Sequence, residues 1–309
     1  MPLDPQIAEM LAVEGSGEGP SFALGVEESR AAEYEFIEMC GPLVEMAVED
    51  CVALGPGGDL PVRVYTPDGE AATRAGLVYF HGGGWVAGDL ETMDRVCRNL
   101  AAGAGCVVVS VDYRRAPEHR FPAAADDAYA AVAWVAANAG VLGIDAARIA
   151  VAGDSAGGNL AAVVSQMARD RGGPHVAFQL LIYPVIDHDL VTPSYVECAD
   201  GFALTQEMMA WFWDQYVPDV AERGNPYAAP LRAASLAGLP PAVIHVAGCD
   251  PLRDEGLAYG AALQAAGVPV EVRNFDTMIH GYLQMVTVSD GARVATEAAT
   301  AALRDGLRR

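Results

Sequence analysis

At 309 residues the chain has room for one large α/β domain with an appendage or for two ordinary domains, and a hydrophobic content of 52% is ample for a buried core. The formal net charge is -22, from 41 acidic and 19 basic residues, and every basic residue is arginine. A field of that sign repels nucleic acid and anionic membranes, and the absence of lysine removes Schiff-base and lysine-nucleophile mechanisms.

No apolar run approaches the ~18 residues of a membrane span. The opening Met1-Pro2-Leu3-Asp4-Pro5 has neither a basic n-region nor an apolar h-region, so the expected location is the cytoplasm. Cys40, Cys51, Cys97, Cys106, Cys198 and Cys249 show no Cys-x-x-Cys spacing, and several sit in apolar runs, as Cys106 does beside Val107-Val108-Val109. Reduced, buried thiols are expected rather than disulfides or zinc ligands.

In chain order, Ile7, Met10 and Leu11 stand at helical spacing within residues 1–13, and the Gly- and Ser-rich stretch from Glu14 to Pro20 reads as a connector. A second helix is expected over about Val26 to Cys40, with Tyr34 and Ile37 on its apolar face. Glu45 to Leu54 and Leu60 to Thr66 flank Gly55-Pro56-Gly57-Gly58-Asp59 and read as a hairpin. From Leu77 onward an apolar strand followed by a helix repeats. The strands are Leu77–His81, Val107–Val111, Ile149–Gly153, Phe178–Tyr183, Ala242–Ala247 and Val268–Asn274, with helices over about 92–104, 122–138, 156–171, 252–266 and 288–306. Near-continuous apolar strands alternating with helices imply an α/β fold whose mostly parallel central sheet is covered by helices on both faces.

One interval breaks the rhythm. More than fifty residues separate Tyr183-Pro184 from Leu239-Pro240, where a single helix would suffice. Inside it Met208, Phe212 and Tyr216 form one helical stripe, and Met209 and Trp213 the adjacent one. The stripe reads either as ordinary core packing or as a lid beyond the strand ends.

The chemistry centres on Ile149-Ala150-Val151-Ala152-Gly153-Asp154-Ser155-Ala156-Gly157-Gly158-Asn159. Gly-x-Ser-x-Gly between a strand and an Ala-rich helix is the pattern of a nucleophile elbow. A serine on so sharp a turn takes a strained backbone angle that lifts its hydroxyl clear of the sheet. Gly153 and Gly157 remove the Cβ atoms that would clash where strand and helix nearly touch. The N–H of Ala156 then falls in the first turn of a helix, where an anion is favoured.

His81-Gly82-Gly83-Gly84-Trp85 follows directly on a strand, and its three glycines leave backbone N–H groups to point at a ligand, as in an oxyanion hole. His81 itself reads as a structural hydrogen-bonder within the loop. Asp250, in Cys249-Asp250-Pro251-Leu252-Arg253-Asp254-Glu255, reads as a helix cap, since Pro251 suits the first helical position, and equally as the acid of a triad. Its rivals Asp254 and Glu255 are expected inside the helix, facing away. His280 lies in a loop after the last strand, and Ser155, Asp250, His280 is the chain order of a hydrolase triad. His245, inside a strand, reads as a satisfied core residue. His119, His175 and His188 have no comparable setting.

With these residues in hand the chain resembles the hormone-sensitive-lipase-like esterases on the α/β-hydrolase fold. Besides the elbow and the glycine loop, the resemblance rests on Met1-Pro2-Leu3-Asp4-Pro5-Gln6, Leu60-Pro61-Val62-Arg63-Val64-Tyr65, Tyr113-Arg114-Arg115-Ala116-Pro117-Glu118-His119, Phe121-Pro122-Ala123, Asp250-Pro251-Leu252-Arg253-Asp254-Glu255 and His280-Gly281. Arg115 and Arg120 stand where the family more often has Leu and Pro, and Thr277 replaces a usual Gly.

The resemblance implies a triad of Ser155, Asp250 and His280 and oxyanion N–H groups from Gly83, Gly84 and Ala156. It also implies a single hydrolase domain with a helical cap built from about 1–45 and 186–225. Trp85, with Phe202, Met208, Met209 and Phe212 of the insertion and Ile279 beside the histidine, forms the expected pocket wall. The implied activity is serine carboxylesterase, acting on short- to medium-chain acyl esters through an acyl-enzyme with no metal or organic cofactor. The expected partner is a small-molecule ester, and a homodimer is compatible with the resemblance. Two other readings share these residues: a non-catalytic ligand receptor, against which the retained His280 counts, and an amide-cleaving hydrolase or deacetylase with the same triad.

Overall fold

The apolar runs pair into one sheet in the computed structural model, which describes residues 2–13, 25–69, 71 and 73–308. Its strands are β1 (Ala47–Gly55), β2 (Gly58–Thr66), β3 (Arg74–Phe80), β4 (Val107–Val111), β5 (Ile144–Asp154), β6 (Phe178–Ile182), β7 (Ala242–Cys249) and β8 (Val270–Ile279), in the spatial order β1-β2-β4-β3-β5-β6-β7-β8. The first two form the expected antiparallel hairpin, and β2 lies antiparallel to β4; every later pairing is parallel. β8 begins two residues later than expected and runs five further, to the residue before His280.

Parallel strands need long crossovers, and helices supply them. They are α3 (Asp94–Ala104), α4 (Ala123–Ala137), α5 (Ala156–Arg171) and α8 (Arg253–Ala265), while α9 (Asp290–Gly306) follows the last strand and packs back on the sheet. Alternate residues of each strand enter two different cores. Val78 and Phe80 of β3, with Ile149 and Val151 of β5, pack on the side of α4, α5 and α8, whereas Leu77 and Tyr79, with Ala150 and Ala152, pack on the side of α3 and α9. Burial on both faces is why these strands read as unbroken apolar runs rather than alternating ones.

The N-terminal segment gives α1 (Pro5–Val13), α2 (Val26–Glu33) and a tighter 3₁₀ stretch from Tyr34 to Cys40. The Glu14–Pro20 connector lies outside the described residues. The helical face differs from the expected one: Ala32, Phe36 and Cys40 are buried, Ile37 is half-buried, and Tyr34 is exposed with its hydroxyl donating to Asp89. Helix α1 packs Ile7 into the α3/α9 core, and Asp4 N–H donates to the Thr277 carbonyl of β8 at 3.0 Å. The long insertion holds α6 (Pro193–Glu197) and α7 (Gln206–Tyr216), the latter capped by the Thr205 hydroxyl accepting from Met208 N–H. Its path is pinned from below. Asn159 donates to the carbonyls of Val185 and Ala228, and Gln166 donates to that of Pro230. Among the described residues, no helix is long and apolar enough to cross a membrane.

Candidate active site

Ser155 stands at the end of β5, at φ 55 and ψ -120, with α5 starting at the next residue. A side chain in that region of backbone space costs on the order of 1–3 kcal/mol, which the surrounding bonds must hold. They do so on both sides: Ser155 N–H donates to the Ile182 carbonyl at 2.9 Å, and its own carbonyl accepts from Asn159 and Val185. A Cβ on Gly157 would run into the Phe80 carbonyl, and one on Gly153 into Gly157, so strand and helix meet this closely only through glycine.

The elbow, the β7 end and the β8 end converge. Ser155 Oγ lies 2.9 Å from His280 Nε2, and His280 Nδ1 lies 2.8 Å from Asp250 Oδ2. With the ring neutral, the serine hydroxyl donates to Nε2 while Nδ1–H donates to the carboxylate, so Asp250 fixes the tautomer that leaves Nε2 able to take a proton. The other Asp250 oxygen accepts from Leu252 N–H at 2.8 Å. The helix-turn role and the triad geometry therefore coexist in one buried carboxylate, one oxygen to each. Gly248 makes this approach possible, since a Cβ there would strike the Asp276 backbone of β8.

The glycine loop is braced beside the serine. Asp154 Oδ1 accepts from Gly82 N–H at 3.0 Å and from the Tyr79 hydroxyl at 2.6 Å, while Tyr113 donates its hydroxyl to the His81 carbonyl at 2.8 Å. Gly83 and Gly84 take φ 95 and 59, and a Cβ on Gly84 would strike the Phe212 ring. Among the described residues, the N–H groups of Gly83, Gly84 and Ala156 donate to no protein acceptor. All three belong to elements bordering the serine, which is the arrangement an oxyanion requires.

Burial drives the neighbouring titratable groups in consistent directions. It raises the Asp154 carboxyl to about 6, against the opposing Tyr79 hydrogen bond and the His280 ring nearby. It lowers His81 to about 4 and His245 to about 3, so both stay neutral across the ordinary working range. His81 stacks on Tyr113 with its Nδ1 at 2.8 Å from the Gly82 carbonyl, as a structural residue of the loop would. His245 is buried in β7, its Nδ1 3.3 Å from the Tyr282 hydroxyl.

A pocket opens onto Ser155 and His280. Its walls come from Ala32, Glu33 and Phe36 on the N-terminal side and from Leu204, Met208, Met209 and Phe212 of the insertion. Three expected wall residues lie elsewhere. Trp85 is fully buried outside the pocket, because a third consecutive positive φ, 61, turns its ring under α7 against Tyr216 at 4.3 Å and Trp213 at 5.0 Å. Ile279 is fully buried at the end of β8, paired with Cys249. Phe202 packs against the core on the α3/α9 side, and Ala203 and Leu204 take its place on the wall.

Three carboxylates gain importance that the sequence reading did not assign. Glu33 enters the pocket from α2. Asp154, the residue just before the serine in Gly-x-Ser-x-Gly, braces the glycine loop. Glu255 is buried in α8 with Oε1 accepting from Ile186 N–H at 2.6 Å, so it anchors the start of the insertion rather than facing idly away. Burial raises its pKa well above the ordinary glutamate range. Among the described residues, no group of three or more His, Cys, Asp or Glu side chains is arranged to hold a metal ion.

A serine, imidazole and carboxylate in hydrogen-bonded series at the carboxyl ends of parallel strands define the α/β-hydrolase class. The alpha/beta hydrolase fold family model matches residues 77–284. Esterase LipI of Mycobacterium tuberculosis is 50% identical over 264 residues, covering 84% of this chain and 82% of that protein. Carboxylesterase NlhH of the same organism is 47% identical over 288 residues, covering 92% and 90%. A solved esterase of Pyrobaculum calidifontis is similar with a TM-score of 0.90 at 42% identity, covering 98% of this chain and 99% of that one. The chain belongs to the alpha/beta-hydrolase family, in its hormone-sensitive-lipase-like esterase branch.

Proposed function

We propose that this protein is a cytoplasmic serine carboxylesterase that hydrolyses short- to medium-chain acyl esters, with Ser155, His280 and Asp250 as its triad. The observation that carries the reading is the unbroken series Ser155 Oγ to His280 Nε2 at 2.9 Å and His280 Nδ1 to Asp250 at 2.8 Å, opening onto a largely apolar pocket. His280 takes the proton of Ser155 as the oxygen attacks the ester carbonyl, and the N–H groups of Gly83, Gly84 and Ala156 receive the oxyanion. Each such donor contributes on the order of 3 kcal/mol to the barrier reduction. His280 then protonates the leaving alcohol, and a water that it deprotonates releases the acid from the acyl-enzyme.

Chain-length preference follows from the wall. Each methylene gains about 0.8 kcal/mol while it still finds apolar surface, and Met208, Met209 and Phe212 bound that surface. The test is kcat/KM for p-nitrophenyl esters from acetate to palmitate, with matched anilides alongside. The expected maximum lies at about four to six carbons, by the methylene argument, with anilides far slower. A maximum at long chains would overturn the closed-wall reading, and faster anilide cleavage would make the protein an amide hydrolase.

A further inference from the structure

The pocket wall contains one group that ester hydrolysis does not use. Glu33 ends α2 and lines the pocket opposite the insertion, among Ala32, Phe36, Leu204, Met208 and Met285. Among the described residues its carboxylate accepts no hydrogen bond, whereas Asp250 and Asp154 each accept at least two. Glu33 is half-buried, so its carboxylate keeps water only on the side open to the cavity, and a ligand that displaces that water must replace its hydrogen bonds.

The surroundings specify the sign of that ligand. Two other carboxylates, Asp154 and Asp89, bear on Glu33, and no arginine lines the pocket among the described residues. Arg30, one turn earlier on α2, is turned away and occupied by Glu118 and the Val86 and Ala116 carbonyls. Arg115 donates to the Gly88 carbonyl. We propose that Glu33 is a specificity-determining residue that favours esters bearing a protonated amine, whose ammonium group it pairs inside the pocket.

The inference rests on the carboxylesterase reading and extends it to a substrate class. Burial first, and then the two neighbouring carboxylates, raise the free Glu33 carboxyl to about 8. An entering cation reverses both causes: it replaces lost solvation and offsets the acidic neighbours, so the carboxylate ionises onto it. A neutral substrate of the same shape gains neither. An overall charge of -22 draws cations toward the mouth as well.

The test compares isosteric pairs that differ by one charge. Dimethylaminoethyl butyrate is set against isopentyl butyrate, and ethyl dimethylaminobutanoate against ethyl methylhexanoate, so the cation sits on the alcohol side in one pair and the acyl side in the other. The readout is the ratio of kcat/KM within each pair at neutral pH, for wild type, Glu33→Gln and Glu33→Met. The expected result is a wild-type ratio favouring the amine in at least one pair, falling about tenfold or more in both variants, the size of one charge-assisted contact. An unchanged ratio in variants that still hydrolyse the neutral isosteres would overturn the Glu33 assignment and leave the esterase reading standing. If wild type hydrolyses neither these esters nor p-nitrophenyl butyrate, the esterase reading itself fails. Should one variant not fold, judged by its thermal melt, the other carries the comparison.

Discussion

The floor of the pocket and its walls are built on opposite terms. On the floor, at the ends of β5, β7 and β8, the carboxylates around Ser155 are held by two or more partners: Asp250 by Leu252 and His280, Asp154 by Gly82 and Tyr79. On the walls, helical side chains meet the cavity with apolar surface and one bare carboxylate, Glu33. A floor so constrained can hold reacting atoms within tenths of an ångström, which is what triad chemistry demands. A wall so unconstrained can be reshaped without disturbing that geometry. Substitutions on the floor should therefore cost rate, and those on the wall should redistribute preference among substrates.

The largest effect is expected at the floor. Ser155→Ala should lower kcat for ester hydrolysis by at least about 10⁴-fold while leaving the thermal melt close to wild type, and His280→Ala should match it, since triad members act as a unit. His245→Ala is the control from the same sheet: buried and held neutral, it should cost about 1–3 kcal/mol of stability with turnover largely retained. Steady-state rates and melts on the three proteins check this, and a His245 variant that loses rate while the His280 variant keeps it would invert the assignment.

At the wall the effects should be smaller and selective. Phe212→Ala opens the pocket beside Gly84, so the ratio of kcat/KM for an octanoate ester to that for a butyrate ester should rise roughly tenfold, from about two methylenes newly accommodated at 0.8 kcal/mol each. Trp85→Phe, outside the pocket, should lower the melting temperature and leave that ratio in place. If Trp85→Phe moves the ratio and Phe212→Ala does not, the wall has been drawn in the wrong place.

The smallest effect is on stability against pH. A carboxyl raised to about 8 binds its proton more tightly in the folded than in the unfolded chain. Its contribution is complete below the ordinary glutamate range and is lost as pH rises through about 8. Glu33→Gln stays neutral throughout, so it should melt a few degrees above wild type at about pH 9 and coincide with it near pH 4. Parallel melting curves at the two pH values would contradict the crowding of Glu33.

The same contrast explains what the sequence made legible. Ser155 and its flanking glycines leave a mark because only glycine tolerates the approach of Gly153 and Gly157 to Phe80, and the β3 to β7 strands leave one because both faces are buried. His280 and Asp250 follow from chain order once the serine is located. The wall leaves no such mark. The direction of the Trp85 ring depends on three successive positive φ angles, and a glycine loop does not reveal which way its last side chain will turn. Glu33 belongs to no motif in the sequence, and Glu255 reads only as a rival carboxylate facing away inside its helix. Only the packing of the insertion and the N-terminal segment over the sheet ends shows that one faces the cavity and the other holds Ile186.

The central claim is that Ser155 carries the acyl group between the two half-reactions. Rapid-quench mass spectrometry during turnover of p-nitrophenyl butyrate tests it directly, by mapping the peptide that gains one butyryl mass. The expected adduct is on Ser155, formed in a burst with one equivalent of nitrophenol and absent from Ser155→Ala. An adduct on any other residue, or full turnover by Ser155→Ala with no adduct at all, would contradict it.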